Sequence, residues 1–253
     1  MTAILETRDL CMSFGALAVT QNVNLALEPG ARHALIGPNG AGKTTLVNQL
    51  TGVLRPSSGA VLLDGEDITR LAADRRVQRG LARTFQINSL FPHLTPLEAV
   101  TAAIHERERA TTGVVMRCLR GVSRNRVQLD EGQALLATLG LERDADTPTH
   151  ELAYGRQRVL EIALALAAKP RVLLLDEPAA GIPEGESDEL FAVLDTLPAD
   201  IAILLIEHDM GLVFRFATRI TVLVGGAELV TGTPRDIAAD PRVREVYLGQ
   251  GVH

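Results

Sequence analysis

The chain has 253 residues, 46% of them hydrophobic, which allows one large domain or two lobes with a substantial core and excludes a disordered composition. Aromatic residues make up 3% with no tryptophan, so the core is expected to be aliphatic. The formal net charge of −6 argues against a general affinity for nucleic acid.

Met1–Glu6 has no basic stretch followed by an apolar one, so no secretory leader is expected. Ile4 to Leu27 alternates apolar and polar residues with a turn signal near Gly15 and reads as strands of a small, partly antiparallel sheet. Ala31 to Ile36 reads as a buried strand. Gly37-Pro38-Asn39-Gly40-Ala41-Gly42-Lys43-Thr44 follows, spelling G-x-x-x-x-G-K-T, and Thr45 to Leu50 reads as the first turns of a helix. Strand, glycine-rich loop and helix together form the context of a phosphate-binding loop. Its glycines let backbone N–H groups approach phosphate oxygens, and the helix N-terminus adds partial positive charge. Lys43 supplies a point charge for the terminal phosphates, and Thr44 a hydroxyl for Mg²⁺. Ala60 to Gly65 reads as a further strand with a turn, and Thr69 to Gly80 as a short helix.

From about Thr95 to about Leu141 the pattern is helical, with Thr95-Pro96 as the start and Glu98 in capping-box position. Within it Glu106 to Arg126 is basic, carries Gly113 and Gly121, and reads as an exposed helical segment or a flexible loop. The α/β alternation then returns. Helices are expected over Arg156–Lys169 and Glu184–Leu197, and strands over Val172–Asp176, Ile201–Glu207 and Ile220–Val224. Continuous apolar strands such as Val172–Leu175 indicate a parallel sheet covered on both faces. No apolar run approaches the roughly 18 residues of a membrane span. Cys11 and Cys118 lie far apart without metal-type spacing and are expected as reduced thiols of a cytoplasmic protein.

Val172–Leu175 brings Asp176 to the carboxyl end of a buried strand, where open α/β sheets bind ligands. Its carboxylate can hold Mg²⁺ there. Glu177, pointing elsewhere because strand side chains alternate, can polarise an attacking water. Strand Ile201–Ile206 ends in Glu207-His208-Asp209, which sets His208 at the same edge, within reach of a γ-phosphate. Gln86 stands where the α/β lobe gives way to the helical segment, a placement that by itself carries no role.

Together these residues resemble the nucleotide-binding subunit of an ABC transporter, over essentially the whole chain. The resemblance makes Gly37 to Thr45 the ATP-binding loop and Gln86 the Q-loop, a further contact to nucleotide and metal alongside Thr44 and Asp176. It also makes Leu152 to Gln157 the signature motif, Asp176-Glu177 the Walker B pair, Ala180 to Pro183 the D-loop and His208 the switch histidine. Phe14 stands where the family stacks an aromatic ring on adenine. Glu161-Ile162-Ala163, Asp176 to Gly181, Glu207 to Met210 and the ending Val246-Tyr247-Leu248-Gly249 are similar to the ATPase of branched-chain amino-acid importers. Two departures stand out. Ala153, Tyr154 and Arg156 replace the Ser, first Gly and Gln of Leu-Ser-Gly-Gly-Gln, and Pro183 replaces the usual Asn or Asp of the D-loop.

The resemblance implies a P-loop NTPase core with a mainly parallel sheet and an N-terminal antiparallel β subdomain over residues 1–86 and 156–253. A helical subdomain is inserted at 87–155. It implies an ATPase using ATP and Mg²⁺, with Glu177 and His208 catalytic. Ala153, Tyr154, Gly155, Arg156 and Gln157 would act in trans on the ATP of a second ATPase subunit, identical or paralogous. The further partners implied are integral membrane permeases, which would hold the protein peripherally at the inner face of the membrane, and indirectly a periplasmic binding protein. Import of urea or amides, lipopolysaccharide export, iron–sulfur cluster assembly and nucleotide-regulated binding without turnover are the alternatives. The intact Glu177 and His208 weigh against the last.

Overall fold

The computed structural model describes residues 3–84, 90–111, 121–182 and 187–248. Strands β1 (Leu5–Phe14), β2 (Leu17–Val23), β3 (Ala26–Leu27), β5 (Ser58–Leu63) and β6 (Glu66–Asp67) form an antiparallel sheet, with the order β2-β1-β5-β6 and β3 on β1. A second sheet has the order β11-β10-β4-β9-β8-β7, from β4 (Arg32–Ile36), β7 (Leu81–Arg83), β8 (Val172–Asp176), β9 (Ala202–Ile206), β10 (Arg219–Val224) and β11 (Ala227–Gly232). All its pairs are parallel except β10–β11. In β8 and β9 an apolar residue faces each side, and Val172–Leu175 and Ala202–Ile206 are buried throughout, as a sheet covered on both faces requires. Leu35, Leu46, Leu50, Leu174, Leu204 and Ile206 join a single aliphatic core with Leu5, Leu27 and Val61 of the antiparallel sheet.

The helices are α1 (Lys43–Thr51), α2 (Ala73–Gln78), α3 (Pro96–Thr111), α4 (Gly121–Thr138), α5 (Tyr154–Ala167), α6 (Ser187–Asp195), α7 (Met210–Phe216), α8 (Pro234–Ala239) and α9 (Pro241–Leu248). The expected capping box opens α3: Thr95 N–H donates to Glu98 Oε2 at 2.9 Å, and Glu98 N–H to Thr95 Oγ1 at 3.3 Å. The helix expected over Thr69–Gly80 is shorter, Ala73–Gln78, because Thr69 is held by the sheet: Val61 N–H donates to its Oγ1 at 2.8 Å. Gly113 and Cys118, both within the basic stretch, lie outside the described residues, whereas Cys11 is a free thiol.

The chain divides into two compact units, Met1–Arg83 with Arg171–Pro178 and Ala199–His253, and Thr84–Pro170 with Ala179–Pro198. The first holds both sheets. The second is helical and takes in α5 and α6, which a boundary at Arg156 would assign to the α/β lobe. The reason is visible at the end of α5. Arg107 Nη1 of α3 donates to Ala167 O at 2.7 Å, and Glu131 of α4 bonds Arg107 and Lys169, each at 2.9 Å. The Arg107 hydrogen bonds, with help from Lys169, hold the Glu131 carboxyl down at about 2.

Candidate active site

Because β4, β7, β8 and β9 are parallel, their carboxyl ends share one edge of the sheet. Gly37, Arg83, Asp176-Glu177 and Glu207-His208 all leave the sheet there. Gly37 is fixed by packing, since a Cβ on it would stand 2.2 Å from Leu223 O. Gly42 is fixed twice over. Its φ of 97° is left-handed, and a Cβ would lie 2.5 Å from Val19 O. Gly42 caps α1 without a side chain, so no side-chain oxygen covers the first-turn N–H groups. Those groups, with the helix dipole, make an anion-binding end.

Lys43 Nζ lies back over the loop, donating to Gly37 O at 2.6 Å and Pro38 O at 3.0 Å. Burial pushes its ammonium down, while Glu177 and Asp176 pull it back up, so both carboxylates act on the same charge. Thr44, Asn39 and Gly40 are exposed. Glu177 is exposed and left-handed, with φ 49°, and its N–H donates to Ile206 O at 2.9 Å. A non-glycine residue held there stores strain of about 1–3 kcal/mol, which the adjoining strand sustains. His208 has a side chain 67% exposed beside the buried Glu207, to which its N–H donates at 3.1 Å. Phe14, at the end of β1, is half exposed.

Asp176 is not a free carboxylate. Arg83 Nη2 donates to its Oδ2 at 2.5 Å, and Arg83 Nη1 donates to Asn48 Oδ1 of α1 at 2.8 Å. Neither partner was foreseeable from spacing along the chain. Tyr247 is another residue whose placement only the fold reveals. Burial pushes its hydroxyl up to about 12; the Gly37 backbone beside it lowers it in part, yet the buried oxygen has no properly formed hydrogen bond.

In the helical unit Ala153 caps α5 with no side-chain hydrogen bond, which leaves the N–H groups around Gly155 uncovered. Arg156 is engaged inside its own unit. Its Nε donates to Asp144 Oδ2 at 2.8 Å and its Nη2 to Gly140 O at 2.5 Å. Tyr154 hydroxyl donates to Ala180 O at 3.0 Å, as does Arg158 Nη2 at 3.2 Å, so the start of α5 holds the turn at Ala180-Gly181. Gln86 and Pro183 lie outside the described residues.

This donor set suits a polyphosphate with a hard cation. The oxygens on offer are the Thr44 hydroxyl and the Asp176 carboxylate, and the described residues contain no group of three His, Cys, Asp or Glu able to hold a metal alone. Mg²⁺ fits such a site, because it takes one or two protein ligands and completes its shell with phosphate and water.

Known proteins share this sequence and fold. A family model described as ABC transporter matches residues 20–180, and one described as branched-chain amino acid ATP-binding cassette transporter matches residues 229–253. The high-affinity branched-chain amino acid transport ATP-binding protein BraF of Pseudomonas aeruginosa is 39% identical over 98% of both chains. LivG of Escherichia coli K12, with the same description, is 40% identical over 98% of both. The ADP conformation of MJ1267, an ATP-binding cassette of an ABC transporter, superposes with a TM-score of 0.84 at 27% identity, covering 99% of this chain and all of that one. With the phosphate loop, the carboxylate pair and the uncovered start of α5 in place, the chain belongs to the ABC transporter family of ATP-binding cassettes, as an ATPase subunit.

Proposed function

We propose that this protein powers the import of branched-chain amino acids through a membrane permease. The observation that carries this reading is near-full-length similarity, at about 40% identity, to two proteins named for branched-chain amino acid transport. The match of residues 229–253 to the corresponding family model supports it.

In this reading ATP lies along Gly37 to Thr45 with adenine against Phe14. Lys43 leaves the Gly37 and Pro38 carbonyls for the terminal phosphates. Thr44, Asp176 and Gln86 would hold Mg²⁺, which would supply charge neutralisation at the terminal phosphates. Glu177 polarises the attacking water and His208 holds the γ-phosphate. A second ATPase subunit presents the uncovered N–H groups at Gly155 to the same phosphate. Closure of the pair moves the permease, with Gln86 at the contact. Tyr154, holding Ala180, positions the D-loop beside the signature helix.

Reconstitution tests the substrate. The protein is combined in liposomes with candidate permease subunits and a periplasmic binding protein. Leucine-, isoleucine- or valine-loaded binding protein is expected to raise ATP turnover severalfold over the unloaded form. Stimulation by urea or an amide alone would replace the substrate. Copurification with iron–sulfur scaffold proteins and no permease would replace the transport reading.

A further inference from the structure

We propose that Arg83 is a positioning residue for the metal: it pins one oxygen of Asp176 so that the other is presented to the nucleotide-bound cation. The proposal rests on the reading of Asp176 as a metal-holding residue. Arg83 is the last residue of the edge strand β7, paired in register with Leu174 of β8, which sets its side chain beside Asp176 two residues on. The guanidinium makes two bonds, Nη2 to Asp176 Oδ2 at 2.5 Å and Nη1 to Asn48 Oδ1 at 2.8 Å. The ion pair is partly buried, with side chains 23% and 14% exposed, so it is weakly screened and geometrically fixed.

Two functions are open to a cation on this carboxylate. It could compete with the metal and have to leave, or it could stay and orient the acid. The second contact decides between them. Asn48 belongs to α1, the helix that carries Lys43 and Thr44, and anchors the guanidinium independently of Asp176. Arg83 therefore ties the phosphate-loop helix to the strand that bears the acid. It keeps Thr44 and Asp176 in fixed relation before any nucleotide arrives. Among the described residues only Oδ2 is engaged, and a carboxylate that ligates a metal through one oxygen is commonly held by a hydrogen bond at the other. Arg suits this task better than Lys, because its fork reaches two acceptors in one plane.

The test measures metal binding directly, with Mn²⁺ as the probe. Electron paramagnetic resonance follows Mn²⁺ titrated into the protein with a non-hydrolysable ATP analogue. A fluorescent nucleotide in EDTA reports nucleotide affinity without metal. Arg83→Met is expected to weaken Mn²⁺ binding on the order of tenfold, as loss of an outer-shell partner does, with nucleotide affinity in EDTA unchanged. Arg83→Lys should recover part of the loss, and Asn48→Ala should move it in the same direction by less. Melting curves identify any variant that fails to fold, and Asn48→Ala then carries the test. Tighter or unchanged Mn²⁺ binding in Arg83→Met overturns the positioning role, the tighter result pointing to competition. If the wild-type protein itself shows no nucleotide-dependent Mn²⁺ site, the metal reading of Asp176 fails instead.

Discussion

At Glu177 the backbone adopts a left-handed conformation that a long side chain rarely accepts, and the cost is held by the N–H bond to Ile206 O. Glu177→Gln keeps the shape and removes the carboxylate proposed to polarise the attacking water. Turnover is expected to fall roughly 100-fold or more while ATP affinity is retained, as measured by phosphate release and calorimetry. Lys43→Ala should do the reverse, weakening nucleotide binding by about tenfold or more, since it removes the ammonium next to the phosphates. Glu161 gives a pH signature. Burial pushes its carboxyl up to about 7, against the hydrogen bond and charge of Arg158. Between its ordinary value of 4.5 and about 7 the folded state holds a proton that the unfolded state has released, so stability falls as pH rises through that window and levels above it. His33 acts oppositely: burial pushes it down to about 4, so its contribution is lost as pH falls from about 6.5 towards 4. The variant-minus-wild-type difference isolates the carboxylate. Glu161→Gln should raise the melting temperature at pH 8 and change it little at pH 5. Equal shifts at both pH values would remove burial of the charge as the cause.

At the scale of elements, α1 is held at both ends by different means. Its N-terminus is left open by Gly42, whereas its C-terminus is closed by a buried arginine from α2. Arg76 Nη1 donates to Gln49 O at 2.7 Å and Leu50 O at 2.6 Å, Nη2 to Thr69 O at 2.9 Å and Nε to Leu71 O at 3.0 Å. A cation at a helix C-terminus also meets the negative end of the dipole. Arg76→Met should cost about 3 kcal/mol in urea unfolding, because it leaves several buried carbonyls without donors. A loss under about 1 kcal/mol would mean that water replaces the guanidinium. The phosphate-loop helix is thus rigid at the end away from the ligand and unencumbered at the end that meets it.

At the scale of the whole molecule, neither the helical unit nor the α/β unit has a helix among its described residues long and apolar enough to cross a membrane. Two copies that meet only when ATP is bound should give a concentration-dependent turnover in solution. In the proposed assembly, permeases holding two copies together would raise their effective concentration. Glu177→Gln with Mg-ATP is expected to elute as a dimer in gel filtration and return to a monomer when ATP is replaced by ADP. A monomer under both conditions would argue against ATP-driven pairing of two ATPase subunits.

The chain by itself determined what depends on neighbours in sequence. An apolar run, a spaced set of glycines and Lys43-Thr44 specify strand, loop and helix within a few residues, and four apolar residues before Asp176 place it at a strand end. Thr95 and Glu98 announce a helix start by the same local logic. Short elements escaped because they are too brief for an alternating pattern to repeat: β6 and β7 have 2 and 3 residues. Tertiary structure alone decided which distant groups meet. Arg83 and Asp176 stand 93 positions apart, and Arg76 lies 27 from the carbonyl it caps at Gln49. Tyr247 comes to Gly37 from the far end of the chain. Sheet order brings these partners together, and sheet order is fixed by the packing of all the strands at once. Local spacing therefore identifies the chemistry of Asp176, while the fold supplies the guanidinium that orients it.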